Sequence, residues 1–138
     1  MITITLRPNV FRTSLLPEKP DYTIVNWRIS ARPTAWRPPT DVYELENQIV
    51  VRLEIAGMKD KDFQITLEQN ILIIQGTRPD ISDRRSSFHQ MEINFGEFIS
   101  AVEIFTPIDT QTVSAEYSNG FLWVNLPKAS PKQIPNPE

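Results

Sequence analysis

The sequence predicts an all-β fold, an antiparallel β-sandwich, and three observations carry that prediction. Between about positions 40 and 126 apolar residues recur with period two, the spacing of a strand with one buried face. Turn-forming pairs, above all Asn119-Gly120, separate these runs. Ten of the twelve prolines lie outside this stretch, at positions 8, 17, 20, 33, 38, 39, 127, 131, 135 and 137. Proline cannot donate to a ladder, so it collects on the flanks of sheets and not within them.

Taken in order, Val42–Glu46 is the expected first strand. In Ile49–Ala56, Ile49, Val51, Leu53 and Ile55 share one face; in Asp62–Glu68, Phe63, Ile65 and Leu67 do so against Gln64, Thr66 and Glu68. Ile71–Gln75 is apolar on both faces and reads as a central strand. In His89–Phe95, Met91, Ile93 and Phe95 alternate with Gln90, Glu92 and Asn94, which predicts a further strand. Phe98–Phe105 continues extended past Gly96, a residue that marks a bulge or bend. Val113–Ser118 buries Val113, Ala115 and Tyr117, and Phe121–Leu126 closes the series. Glu46-Asn47 and Gln69-Asn70 are further turn signals, while Asn119-Gly120 supplies the two positive φ values of a type I′ hairpin. Thr77–Phe88 breaks the rhythm with Pro79 and a run of polar residues, and reads as an exposed loop. The body shows no long helical period, so seven or eight short strands imply two packed sheets.

The prolines also set the domain boundaries: an N-terminal arm at 1–39, a sandwich at 40–127 and a tail at 128–138. Charge shifts at the first border. Residues 1–39 hold six Lys or Arg against Glu18 and Asp21, a balance of +4 that leaves −7 for the remainder of a chain whose net charge is −3. That arm carries an apolar load unusual for a linker: Phe11, Leu15, Leu16, Tyr22, Ile24, Val25, Trp27, Ile29 and Trp36. Such a segment either folds back over an open face of the sandwich or binds partners and copies of itself; the two are compatible.

Residues for chemistry are sparse. The four glycines stand singly, so no phosphate-cradling loop exists, and no cofactor is expected. There is no cysteine and one histidine, His89, which excludes thiol nucleophiles and the usual zinc sets. Ser87, His89 and Asp83 are near neighbours in a polar loop, whereas a triad needs rigid, oriented members. Glu44, Glu46 and Glu54 alternate with core residues and read as a solvated strand face instead of a carboxylate pair. The basic charges of the arm are dispersed and the whole chain is acidic, which argues against nucleic acid. No apolar run has the length of a signal peptide or of a bilayer span, so a soluble, cytoplasmic protein with no stable membrane insertion is expected.

The run Ser114-Ala115-Glu116-Tyr117-Ser118-Asn119-Gly120-Phe121-Leu122, followed by Trp123-Val124-Asn125-Leu126-Pro127-Lys128, resembles the signature and closing strand of the small heat-shock protein family, in its bacterial form. Asp41-Val42-Tyr43-Glu44, Leu53-Glu54-Ile55-Ala56-Gly57-Met58 and Phe88–Phe98 are similar to the other strands of that family's alpha-crystallin domain, and the likeness covers about residues 36–136. Two positions depart from it. Ser100 stands where the family often has arginine, and the tail offers Ile134-Pro135-Asn136 where an Ile-x-Ile type anchor is usual.

The resemblance implies an immunoglobulin-like sandwich and an ATP-independent holdase that captures unfolding clients through apolar surface, with no catalysis. Phe11, Leu15, Leu16, Tyr22, Ile24, Trp27 and Trp36 are the expected client-binding residues. It further implies a homodimer in which Arg84, Arg85, Ser86 and Ser87 of one subunit add a strand beside Val42 and Tyr43 of another, and a larger homo-oligomer. The tail anchor would be Ile134, docking in a groove lined by Ile65, Leu67, Val113 and Ala115, weakly because Asn136 cannot fill a second apolar pocket. The alternative is a co-chaperone or adaptor sandwich that binds one defined protein partner. A carbohydrate-binding or hydrolytic sandwich would want clustered aromatics and paired carboxylates on one face, which the sequence lacks.

Overall fold

Strands follow the alternation of the body closely. The computed structural model describes residues 2–7, 34–80 and 83–130. Eight strands occur among them: β1 Ile4–Arg7, β2 Thr40–Glu44, β3 Gln48–Glu54, β4 Phe63–Glu68, β5 Ile71–Arg78, β6 Gly96–Glu103, β7 Ser114–Ser118 and β8 Phe121–Pro127. They form two four-stranded sheets, β1-β4-β5-β6 and β2-β3-β8-β7. All pairings are antiparallel except β1 with β4, which is parallel.

The two sheets meet through the residues that the alternation selects. Leu122, Val124 and Leu126 of β8 are buried while Phe121, Trp123 and Asn125 between them are half-buried, which is the one-face-in pattern of a sandwich strand. Val51 and Leu53 oppose Val124 and Leu122 across the β3–β8 ladder. Leu72 and Ile74 of β5 and Phe98 of β6 close the core from the other sheet, all fully buried. Ile73 is buried as well, so β5 is covered on both faces, as its unbroken apolar run requires. The Asn119-Gly120 turn joins β7 to β8 with φ of 53° and 84°, the left-handed pair that a type I′ hairpin needs.

Three features differ from the sequence reading. First, His89–Phe95 forms no strand: residues 83–95 are exposed, and β6 begins at Gly96, where φ is 87°. A period-two run becomes a strand only where a sheet edge accepts it, and β5 already carries β4 and β6. Second, β5 runs on through Thr77 and Arg78, so the loop starts at Pro79. Third, β1 lies inside the proline-rich arm. Ile2, Ile4 and Leu6 alternate there, and Ile2 is buried in the core cluster with Ile4 packed against it. Each such side chain contributes about 1.5–3 kcal/mol when fully buried. Together with edge hydrogen bonds of about 1 kcal/mol each, this roughly matches the conformational entropy of ordering the segment, about 1–2 kcal/mol per residue. β1 is therefore a marginal element on a firm sheet.

Gly76 shows how tightly β5 is hemmed in. A Cβ there would lie 2.3 Å from the carbonyl oxygen of Asp62 and 2.8 Å from the ring of Phe98. Backbone and a fully buried ring cannot retreat cheaply. Gly76→Ala is expected to destabilise the fold by about 1–3 kcal/mol, read as a lower urea midpoint at unchanged slope.

Candidate functional site

Sandwiches interact through their rims, so the candidate surfaces are the two lateral edges and the long loop. At the first edge β2 and β6 face each other from opposite sheets. Just before β2, Trp36 bridges to Phe98: its N–H donates to the Glu97 carbonyl at 3.1 Å and its carbonyl accepts from Ile99 N–H at 3.0 Å. Its ring packs on Phe98 with centroids 5.8 Å apart. Trp36, an expected client-binding side chain of the arm, is half-buried and packs against the core cluster; an aromatic of this size gains from an apolar slot.

A polar relay through the buried Ser100 holds the same corner. Arg37 Nε donates to Ser100 Oγ at 3.4 Å, Ser100 and Thr40 share a 2.8 Å hydrogen bond, and Thr40 Oγ1 donates to the Pro38 carbonyl at 2.9 Å. Ser100 is fully buried, so this chain satisfies a hydroxyl that would otherwise be costly. Where the family resemblance led one to expect arginine, the guanidinium arrives from Arg37 in the preceding segment. Outside the corner, Arg52 hydrogen-bonds Asp41, which raises the guanidinium pKa above its ordinary value, and sits over the rings of Tyr43 and Trp123 at 5.5 and 5.3 Å. This straps β2 to β3 and leaves the other side of β2 without a strand neighbour among the described residues.

Apolar side chains gather near that open side. Val42 and Leu45 are nearly half exposed, Phe105 is 79% exposed, and Val42, Ile49, Ile104 and Phe105 line a shallow depression with Tyr43 and Glu44. The loop adds Phe88 at 69% exposure and Ile93 at 70%, with Met91 and Phe95 also exposed. Arg84, Arg85, Ser86 and Ser87, the expected exchange strand, are exposed and lie in no ladder; Arg85 pairs with Asp80 at 2.9 Å inside the loop. Within one chain they do not meet Val42 or Tyr43 in a strand pairing. The loop is tethered at its far end by Arg78, whose Nε donates to the Asn94 carbonyl at 2.8 Å and whose guanidinium lies 4.5 Å over Trp36 and 5.3 Å over Phe95.

At the second edge, β4 and β7 face each other. Phe63 and Tyr117 join the sheets with centroids 5.1 Å apart; the Tyr117 hydroxyl donates to the Ile55 carbonyl at 2.7 Å and accepts from Met58 N–H at 3.3 Å. The expected groove residues divide between these strands: Ile65 and Leu67 on β4 are buried, and Val113 and Ala115 beside and on β7 are half-buried. The strip is not vacant. β1 lies along β4 in the register Ile4–Ile65, Thr5–Thr66, Leu6–Leu67, and Ile2 and Ile4 join the core cluster against which Val113 and Ala115 also pack. The sequence reading missed this occupant. The Ile2-Thr3-Ile4-Thr5-Leu6 alternation was its signal, masked by the prolines that follow.

Phe11, Leu15, Leu16, Tyr22, Ile24, Trp27 and Ile134 lie outside the described residues. Among the described residues no three His, Cys, Asp or Glu side chains converge as a metal site, and no helix is long and apolar enough to cross a membrane. What this surface offers is main-chain pairing at edges and apolar contact beside them.

Comparison with known proteins agrees with this geometry. The profile of the Hsp20/alpha crystallin family matches residues 41–138. The probable 15 kDa heat shock protein of Leptospira interrogans is 31% identical over 94 residues, covering 68% of this chain and 72% of the relative. Small heat shock protein C2 of Rickettsia felis is 27% identical, and the chain spans only 60% of that protein's length. Among solved structures, heat shock protein 16.0 of Schizosaccharomyces pombe superposes with a TM-score of 0.61 at 30% identity, over 71% of this chain and 96% of that one. HSP18.5 of E. histolytica does so with 0.63 at 25% identity, over 75% and 99%.

Arg78 is the testable hinge of the first edge. Removing it frees both the Asn94 carbonyl and the Phe95 ring. Arg78→Ala is expected to raise amide hydrogen-exchange rates across 83–95 by about three- to ten-fold, since a partly exposed cation–π contact with its hydrogen bond is worth about 1 kcal/mol. Exchange in β3 and β8 should stay unchanged.

Proposed function

Because the chain belongs to the Hsp20/alpha crystallin family, we propose that it is an ATP-independent chaperone: it holds partly unfolded proteins through apolar surface and prevents their aggregation. The observation that carries this reading is the pairing of open strand edges with exposed Phe88, Ile93 and Phe105 on a rigid two-sheet body. Unfolding proteins expose the complementary features, apolar stretches and unpaired strands. Modest burial, at about 25 cal/mol per Å², suffices for reversible capture. Nothing in that process is hydrolysed, and the protein works as a soluble cytoplasmic holdase without cofactor or catalysis. Its clients are unfolding proteins; its other partner is itself.

The arm residues Phe11, Leu15, Leu16, Tyr22, Ile24 and Trp27 extend the capturing surface. The test is light scattering from a heat-labile protein without nucleotide. The full chain suppresses the rise, and replacing these six residues by serine weakens suppression several-fold. Equal protection by the substituted chain places capture on the sandwich alone, and no protection by the full chain overturns the reading.

Dimerisation by loop exchange follows from the same edges. Among the described residues one side of β2, at Val42 and Tyr43, has no strand neighbour and so has main-chain groups to offer, and the loop holding Arg84, Arg85, Ser86 and Ser87 pairs with no strand. Pairing the two across subunits shields an edge that would otherwise aggregate and covers Val42. Replacing residues 79–94 by a tight turn should convert dimers to monomers in sedimentation at micromolar concentration; a dimer that survives the change excludes the exchange.

A further inference from the structure

The sheet β2-β3-β8-β7 turns one face to the core and the other to solvent, and the outer face carries more than a solvated surface needs. The ladders place Trp123 of β8 between Arg52 of β3 and Glu116 of β7, and Phe121 of β8 between Glu54 of β3 and Ser118 of β7. The Phe121 and Trp123 rings lie side by side, with centroids 6.1 Å apart. Asp41 and Tyr43 of β2 extend the same face beyond Arg52. One half of this face shows what chemistry it holds. The Arg52 guanidinium lies over the rings of Tyr43 and Trp123, at 5.5 and 5.3 Å, and its Nε donates to the Asp41 carboxylate at 3.2 Å. A planar, forked cation is thus stacked on aromatic rings and closed by a carboxylate. The other half repeats the rings and the carboxylates without the cation. Phe121 and Trp123 are half-buried, Glu54 and Glu116 are exposed, and neither glutamate has an ion-pair partner among the described residues. Glu54 and Glu116 lie on opposite sides of β8, about 12 Å apart at ordinary strand spacings, too far to share one metal ion.

We propose that the Phe121–Trp123 half of this face binds an extended basic peptide segment, with one arginine against Trp123 and Glu116 and a second against Phe121 and Glu54. The resident cation decides the chemistry: Arg52 already sits on Trp123 from one side, and the rings and carboxylates on the other side offer the same two contacts again. Arginines at alternate positions of an extended chain project to one side about 7 Å apart at their Cα atoms, and their long side chains span the remaining distance. Arginine fits better than lysine, since a guanidinium lies flat on a ring while its fork meets the carboxylate beside it. Charge is complementary, because Asp41, Glu54 and Glu116 share this face with Arg52 alone among the described basic residues. Main-chain pairing has no part in the binding, which takes place on the sheet face and away from its edges. The property also stands apart from holding unfolding proteins, since the ligand needs no apolar stretch.

Fluorescence anisotropy on the full chain tests this with a labelled peptide, Thr-Arg-Thr-Arg-Thr. One companion peptide carries glutamate in place of both arginines; a second carries the two arginines side by side, so that they project to opposite sides of an extended chain. The alternating peptide is expected to bind about ten-fold more tightly than the side-by-side one, and the glutamate peptide not to bind. Glu54→Gln with Glu116→Gln, two exposed changes, should weaken the alternating peptide by about ten-fold. Glu46→Gln with Glu97→Gln, the same loss of charge at two exposed positions elsewhere, should leave it unchanged. Trp123→Leu should weaken it with both carboxylates in place. Equal losses in the two glutamine pairs reduce the binding to the negative charge of the whole chain and overturn the site. Equal affinity for the alternating and side-by-side peptides overturns the two-slot geometry, and no binding of either overturns the proposal outright. If the Glu54 and Glu116 changes alter the sedimentation coefficient and leave peptide binding as it was, the face meets a second copy of this chain and the peptide assignment falls.

Discussion

Burial of alternate aliphatic side chains between two sheets is the constraint on which everything else here depends. Val51, Leu53, Leu72, Ile74, Leu122, Val124 and Leu126 have no other place to go, and on each of their strands the intervening side chains lie on the opposite face. A sheet that buries one face this way cannot slip by a single residue without exposing its entire apolar set. The register is therefore held along the strands, and the freedom left to the molecule lies across them, at the edges. Two four-stranded sheets have four lateral edges, and an edge is the one part of a β-structure that can still form main-chain hydrogen bonds with something new.

Each edge is treated differently. β6 is covered by the Trp36 bridge, braced by Arg78 stacked on the indole and by the Arg37–Ser100–Thr40 relay beneath. β1 forms the opposite edge of that sheet, laid along β4 in a four-residue parallel ladder with Ile2 in the core cluster and Ile4 packed against it. β2 and β7 have one strand neighbour each among the described residues. The order of these covers is an order of strength: a half-buried Trp36 packed on the fully buried Phe98, beside hydrogen bonds to the buried Ser100, outlasts a short, half-exposed edge strand. The proposed holding role calls for both kinds, a body stable enough to persist under conditions that unfold other proteins, and surfaces loose enough to be exchanged.

Charge has a supporting part. The ion pairs, Arg52 with Asp41, Arg85 with Asp80 and Lys128 with Glu44, lie on the rim, where each contributes at most about 1 kcal/mol. Their value is positional. Arg52 keeps β2 in register with β3 and shields two aromatic rings, so that the strand presents its open side squarely. Arg78 places its guanidinium over the Trp36 and Phe95 rings, holding the base of an apolar loop against Trp36 while its tip remains exposed.

The sequence by itself determined the sandwich: its strands β2 to β8 but for their ends, the side chains that face inward, and the hairpin at Asn119-Gly120. These follow from a local period and from a turn that requires positive φ, both readable within a few residues. It also carried the resemblance that names the family. Only the tertiary structure decided the fate of the remaining alternating runs. Ile2–Leu6 and His89–Phe95 have the same pattern, yet the first became a strand and the second did not. Trp36, by composition one more adhesive residue of the arm, became part of the wall. The reason is physical: whether an alternating segment pairs depends on a vacant edge brought near by residues far away in the chain, as β4 is for β1. A period records which face of a strand seeks the core, and it holds no information about which edge is free to receive it.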